Sequence, residues 1–136
     1  MFTTDLKDFH YKPLIEDDHI VKNRVVLQGW VIWKVETGVE IAVPPGFTFD
    51  LASVPWWLGF IAQKLGRHQR AAALHDWLYF HNIGSREWCD AQFKAAMKHD
   101  KVNALQRWVI WKGTRRGGFL SWLKHASRIT RESRDE

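Results

Sequence analysis

The chain has 136 residues, the size of one domain and long enough to bury a core without disulfides or a structural metal. Its 46% hydrophobic and 26% charged residues exclude a disordered, collagen-like or disulfide-rich chain, and the single Cys89 excludes an internal bridge and a zinc site built on several thiolates. No run approaches the roughly 18 apolar residues of a membrane span, and the acid-containing N-terminus lacks the order of a signal peptide, so an intracellular fate at synthesis is expected.

Residues 1–23 read as one or two short strands with a charged turn at Glu16-Asp17-Asp18. Residues 24–35 are rich in β-branched and aromatic types, Glu36-Thr37-Gly38 is a turn signal, and 39–43 alternate with Val39, Ile41 and Val43 on one face. Together they predict a β-hairpin. Pro44-Pro45-Gly46 ends it, and 47–53 should be extended or turning. Ser53 is placed to cap a helix from near Pro55 to about Leu65, which Gly66 would stop.

The second half reads as helical. Residues 69–81 form one helix, and Ser85 caps the next over roughly 86–99. A third is expected over 102–112 and a fourth over 119–131, separated by Thr114 to Gly118 with its Gly-Gly pair. In the fourth, Phe119, Trp122, Leu123, Ala126 and Ile129 share a face. The predicted fold is a single α+β domain over 1–136. An N-terminal antiparallel sheet or hairpin (1–53 mainly β) packs against three to four C-terminal helices (54–133 mainly α).

Two biases stand out. Nine tryptophans suit a core and its margins, or alternatively an exposed docking surface. The net charge of +5 lies wholly in the tail 107–136, with eight basic and three acidic residues; residues 1–106 carry 12 of each. Arg115, Arg116, Lys124, Arg128 and Arg131 are the candidate surface for nucleic acid or another acidic partner, although a charge run is commonly just a solvated helix face.

The most informative chemical pair is His75-Asp76. At about 100° per residue, His75 falls in the middle of an apolar arc with Leu74, Leu78, Tyr79 and Ala71, and Asp76 lies at its edge. Such a histidine is either a satisfied core residue or a ligand in a sunken site. Imidazole and carboxylate together suit a divalent metal. The spacing departs from HD-type phosphohydrolases, and His75 is not followed by a histidine four residues on, so the zinc-protease pattern is absent. Asp50, before Ser53, is either turn chemistry or the rim of a pocket facing His75. Asp90 is either a third site acid or the partner of Lys94 or Arg86, each four residues away. Cys89, among apolar and acidic neighbours, is a poor nucleophile.

The run VPPGFTFDLASVPWWL, followed by AAALHDWLYFHNIGSREWCDAQFKAAM, resembles the domain of unknown function 1353 family of tailed phages and prophages. The pattern falls on Asp50 to Pro55, then on His75, Asp76, Leu78, Tyr79, Ser85, Arg86, Asp90 and Phe93, and the resemblance covers about residues 24–115. It departs at Phe49 and in the tryptophan-rich basic tail. The resemblance implies a phage origin, with the chain in the host cytoplasm at synthesis or in the virion, and implies no activity.

Three readings remain open. In the first, Asp50, His75, Asp76 and Asp90 meet in one pocket, and His75, Asp76 and Asp50 hold a divalent metal that activates water for hydrolysis. Tyr79 would orient the substrate, with Ser53 and Asp90 in support. In the second, the same residues form a buried hydrogen-bond network in a non-catalytic virion or tail accessory protein that contacts other virion proteins. In the third, the basic tail binds nucleic acid or a host protein.

Overall fold

The computed structural model describes residues 1–50 and 67–135. The side chains of Lys22, Asn23, 116–121, Lys124, Thr130 and Asp135 lie outside that description. So do Ser53 and the helix expected after Pro55.

After a short 3-10 turn at Leu6–Asp8, strand β1 (Tyr11–Glu16) pairs antiparallel with β2 (His19–Leu27). The turn between them is a two-residue one. Asp17 and Asp18 both adopt positive φ, 50° and 61°, which aspartate tolerates better than most side chains and which matches the twist of the strands. On its other edge β2 pairs antiparallel with β5 (Thr48–Asp50), giving the order β1-β2-β5. The predicted 24–35 run is divided. It bends at Gln28-Gly29-Trp30, and its second part, β3 (Val31–Lys34), forms a separate hairpin with β4 (Glu40–Val43). One run therefore serves two sheets. The period-2 pattern survives the bend, with Val25, Leu27, Val31 and Trp33 all buried. Ile41 and Val43 are buried as expected, but Val39 precedes the strand and is exposed.

Helices α1 (Gln69–Phe80) and α2 (Arg86–His99) match the periodicity. Ser85 caps α2 by accepting from Trp88 N–H at 3.0 Å. Gly84 has φ +68°, and a Cβ there would meet the Trp88 ring at 2.8 Å, so this connection requires glycine. Asn103 caps the third helix, accepting from Leu105 N–H at 2.8 Å, which moves the start to Ala104.

That third helix, α3, runs unbroken over Ala104–Asp135. The expected break at Thr114 to Gly118 does not occur, and the two predicted helices are one. Glycine in a helix costs only about 1 kcal/mol relative to alanine, and no proline interrupts the segment. The expected apolar face of its second half is only partly used. Trp122 packs on the core, with its ring centroid 5.3 Å from that of Tyr79, while Leu123 and Ile129 are exposed.

The core lies between the strands and α1–α2. Val25, Leu27, Val43 and Phe49 meet Leu74, Leu78, Phe93 and Met97, all nearly inaccessible. The tryptophans divide. Trp33 is buried, Trp77, Trp88, Trp111 and Trp122 line the margin, and Trp30 and Trp108 are exposed. A buried ion pair closes one end. Arg70 donates from Nε and Nη2 to Asp100 at 2.9 and 2.5 Å and from Nη1 to the Thr4 carbonyl, and its guanidinium lies over Phe2. Both residues are almost fully buried, so losing one would strand a charge. Gln106 is also buried, and its side-chain amide has no hydrogen-bond partner among the described residues.

Gly113 tests the continuity of α3. A Cβ there meets nothing within 4 Å. Gly113→Ala should therefore raise the unfolding free energy by about 1 kcal/mol, measured by denaturant titration. A loss of stability would mean a broken helix.

Candidate functional site

The site is built where α1, α2 and α3 meet. His75 and Tyr79 are one turn apart on α1, so their rings stack, with centroids 4.1 Å apart. Phe93 of α2 also packs on the imidazole, with ring centroids 4.6 Å apart. Asp90 of α2 is 1% exposed and receives three donors. His75 Nε2–H donates to Oδ1 at 2.7 Å, Tyr79 Oη–H donates to the same oxygen at 2.6 Å, and Arg115 of α3 donates from Nη1 to Oδ2 at 2.7 Å.

Burial works to raise the Asp90 pKa, but hydrogen bonds from His75, Tyr79 and Arg115 outweigh it and hold the carboxyl below its ordinary value. An ionised Asp90 makes His75 Nε2 the donor. Burial, and then Asp90, push the Tyr79 hydroxyl up, so it stays protonated and donating. The expected partners of Asp90, Lys94 and Arg86, do not hold it. Arg86 instead donates to the carbonyls of Thr114 and Arg115 on α3, a second tie between α2 and α3.

Asp76 shares no hydrogen bond with this network. Its Oδ2 accepts the backbone N–H of Asp50 at 3.0 Å, which fastens the end of β5 to α1. Burial pushes its carboxyl up to about 6, against the pull of the Asp50 N–H and of His75. The Asp50 carboxylate is exposed and pairs at 3.2 Å with Arg24, its register partner on β2. Asp50 therefore meets Asp76 through its backbone, while its side chain addresses another strand.

This arrangement does not fit the expected metal centre. His75 Nε2 is spent on Asp90, Asp50 on Arg24, and among the described residues no three His, Cys, Asp or Glu side chains are placed to hold an ion. Residues 51–66 contain none of these four types, so they offer no such ligand. Cys89 is buried, donates to the Ile83 carbonyl, and burial pushes its thiol up to about 12, which leaves it inert.

The expected basic surface is also reduced. Arg115 is committed to Asp90 and, at 3.5 Å, to Glu87. Arg128 donates to the Phe80 carbonyl at 3.0 Å and to Glu132 at 2.8 Å, and it lies over the Phe80 ring. Arg131 is exposed, and the side chains of Arg116 and Lys124 lie outside the described set. The Arg115–Asp90 link, joining residues 25 apart, had no sequence signal. Neither did Arg70–Asp100.

A family model described as Protein of unknown function (DUF1353) matches residues 25–114. The chain belongs to this family. No curated protein and no solved structure matches it. The DUF1353 match contains Asp50, His75, Asp76, Tyr79 and Asp90, and it stops one residue before Arg115. No helix among the described residues is long and apolar enough to cross a membrane.

The two acids have opposite linkage to pH. Asp76 has a raised folded pKa, so the folded state binds the extra proton between about pH 4 and pH 6, and stability falls as pH rises through that window. Asp90 has a lowered folded pKa, so its contribution is present above the unfolded value and is lost as pH falls through the folded one. Asp76→Asn should remove the decline between pH 4 and 6 and gain about 1 kcal/mol at pH 7, read from urea unfolding across pH. An unchanged pH profile would place Asp76 in an ordinary solvated setting.

Proposed function

We propose that this DUF1353 chain is a non-catalytic phage or prophage accessory protein of the virion or tail type. In it, His75, Tyr79 and Arg115 lock the helices together on Asp90, and Asp76 fastens β5 to α1. The observation that carries this reading is the saturation of Asp90, whose two buried oxygens hold three donors from α1 and α3. A carboxylate so occupied has little left to offer a substrate, and a satisfied network of this kind fixes one packing. The divergence of Asp50 toward Arg24 supports the same reading, because the loop acid and the imidazole do not address one reacting centre. The phage assignment rests on the family resemblance.

One observation favours a hydrolytic reading. His75 makes its hydrogen bond through Nε2 alone among the described residues, which leaves Nδ1 open, and burial pushes the neighbouring Asp76 carboxyl up. A histidine oriented by a carboxylate through one nitrogen can use the other as a general base. This version needs no metal. The nucleic-acid reading is weakest, since Arg115 and Arg128 are already engaged.

Removing the imidazole separates the first two. His75→Ala should lower the unfolding free energy by about 2–4 kcal/mol, because it withdraws a donor from a buried carboxylate. Elemental analysis of the purified wild-type chain should show no stoichiometric metal, and mass spectrometry should find the chain in purified particles. A His75→Ala protein of unchanged stability that loses a bound metal or a hydrolytic activity contradicts the proposal.

A further inference from the structure

Two exposed apolar patches of opposite charge lie on different parts of the chain. The first is the tip of the β1–β2 hairpin. Ile15 and Ile20 are cross-strand partners and are 62% and 70% exposed. The turn between them carries Glu16, Asp17 and Asp18, all exposed. A pair of bare isoleucines thus lies next to a turn that carries three carboxylates.

The second patch is the start of α3. Leu105 and Trp108, three residues apart and so on one helix face, are 54% and 53% exposed, while Gln106 and Ile110 turn the opposite face inward. Exposed Lys101 precedes Leu105, and Lys112 follows Trp108 with its Nζ 5.6 Å from the ring. Here two large apolar side chains lie between two lysines. Both patches are exposed in the same molecule, so neither covers the other.

We propose that the acidic hairpin tip of one copy docks on the Leu105–Trp108 patch of a second copy, giving a head-to-tail contact between identical chains. Charge complementarity selects the occupant. Two hairpin tips repel one another, as do two lysine-flanked helix starts, so like-to-like pairing is disfavoured and tip-to-helix pairing is favoured. Apolar contact supplies the attraction, and the carboxylate–lysine pairs set the register. A contact between different patches leaves one of each patch free at the ends, so it propagates into a ring or an open chain of copies. The patches are small, so each contact is weak and assembly depends on concentration and salt. The inference does not depend on whether the His75–Asp90 network is catalytic.

Sedimentation equilibrium of the full chain tests it with two variants. Ile15→Ser/Ile20→Ser removes the tip, and Leu105→Ser/Trp108→Ser removes the receptor; all four side chains are exposed, so folding should persist, as thermal unfolding would verify. The wild type should show a weight-average mass that rises with concentration and falls with added salt. Each variant alone should be monomeric, its association weakened by about tenfold or more. An equimolar mixture of the two should form a dimer and no larger species, because one intact tip meets one intact receptor. A wild type that stays monomeric up to on the order of 1 mM overturns the proposal, including the case in which it binds anionic vesicles instead. So do variants that assemble like the wild type, and so does a mixture that remains monomeric.

Discussion

The structure depends on one buried carboxylate. Asp90 sits on α2 with its oxygens turned toward α1 and α3, and there it is met by an imidazole, a phenol and a guanidinium. Taking a carboxylate out of water is costly unless each oxygen is compensated, and here three donors do so. The consequence is directional: α1 must present His75 and Tyr79 on one face, and α3 must deliver Arg115 from more than two turns along its length. The uninterrupted course of α3 through Gly113 makes that delivery possible.

The rest of the molecule is arranged around this junction. The strands fill the other side of α1, and β5 is fastened to it through the Asp50 N–H and Asp76. The far end is closed by Arg70 and Asp100, which draw in the N-terminal segment through Thr4 and Phe2. Two buried charge clusters, one at the start of α1 and one along its middle and last turn, fix how the helices sit on the sheets. Hydrophobic burial drives the collapse, and these clusters select one packing out of the several that apolar contact alone would allow.

Local features of the fold were legible because local physics dictates them. Ser85 ahead of an apolar-periodic run announces a cap, and the run from Arg24 to Val43 announces strands. Long-range features were not. Nothing in the tail distinguishes Arg115, whose guanidinium reaches the buried Asp90, from Arg131, which stays in water. The Gly-Gly pair near Arg116 reads as a break, yet packing and capping elsewhere carry the helix through it. The helical wheel placed His75 correctly at mid-face but could not say what it faces. It faces Asp90 and not Asp50, because the β5 strand turns the Asp50 side chain toward Arg24. The family match spans the same residues and assigns them no role.

A double-mutant cycle between His75 and Asp90 addresses the central claim directly. His75→Gln, Asp90→Asn and the double variant would be unfolded in urea at pH 7, and the coupling energy taken from the four unfolding free energies. A structural junction predicts coupling of about 1.5 kcal/mol or more, with each single variant clearly destabilised. Coupling near zero, with both variants as stable as the wild type, would contradict the account and return these two residues to the role of a site held in place by other means.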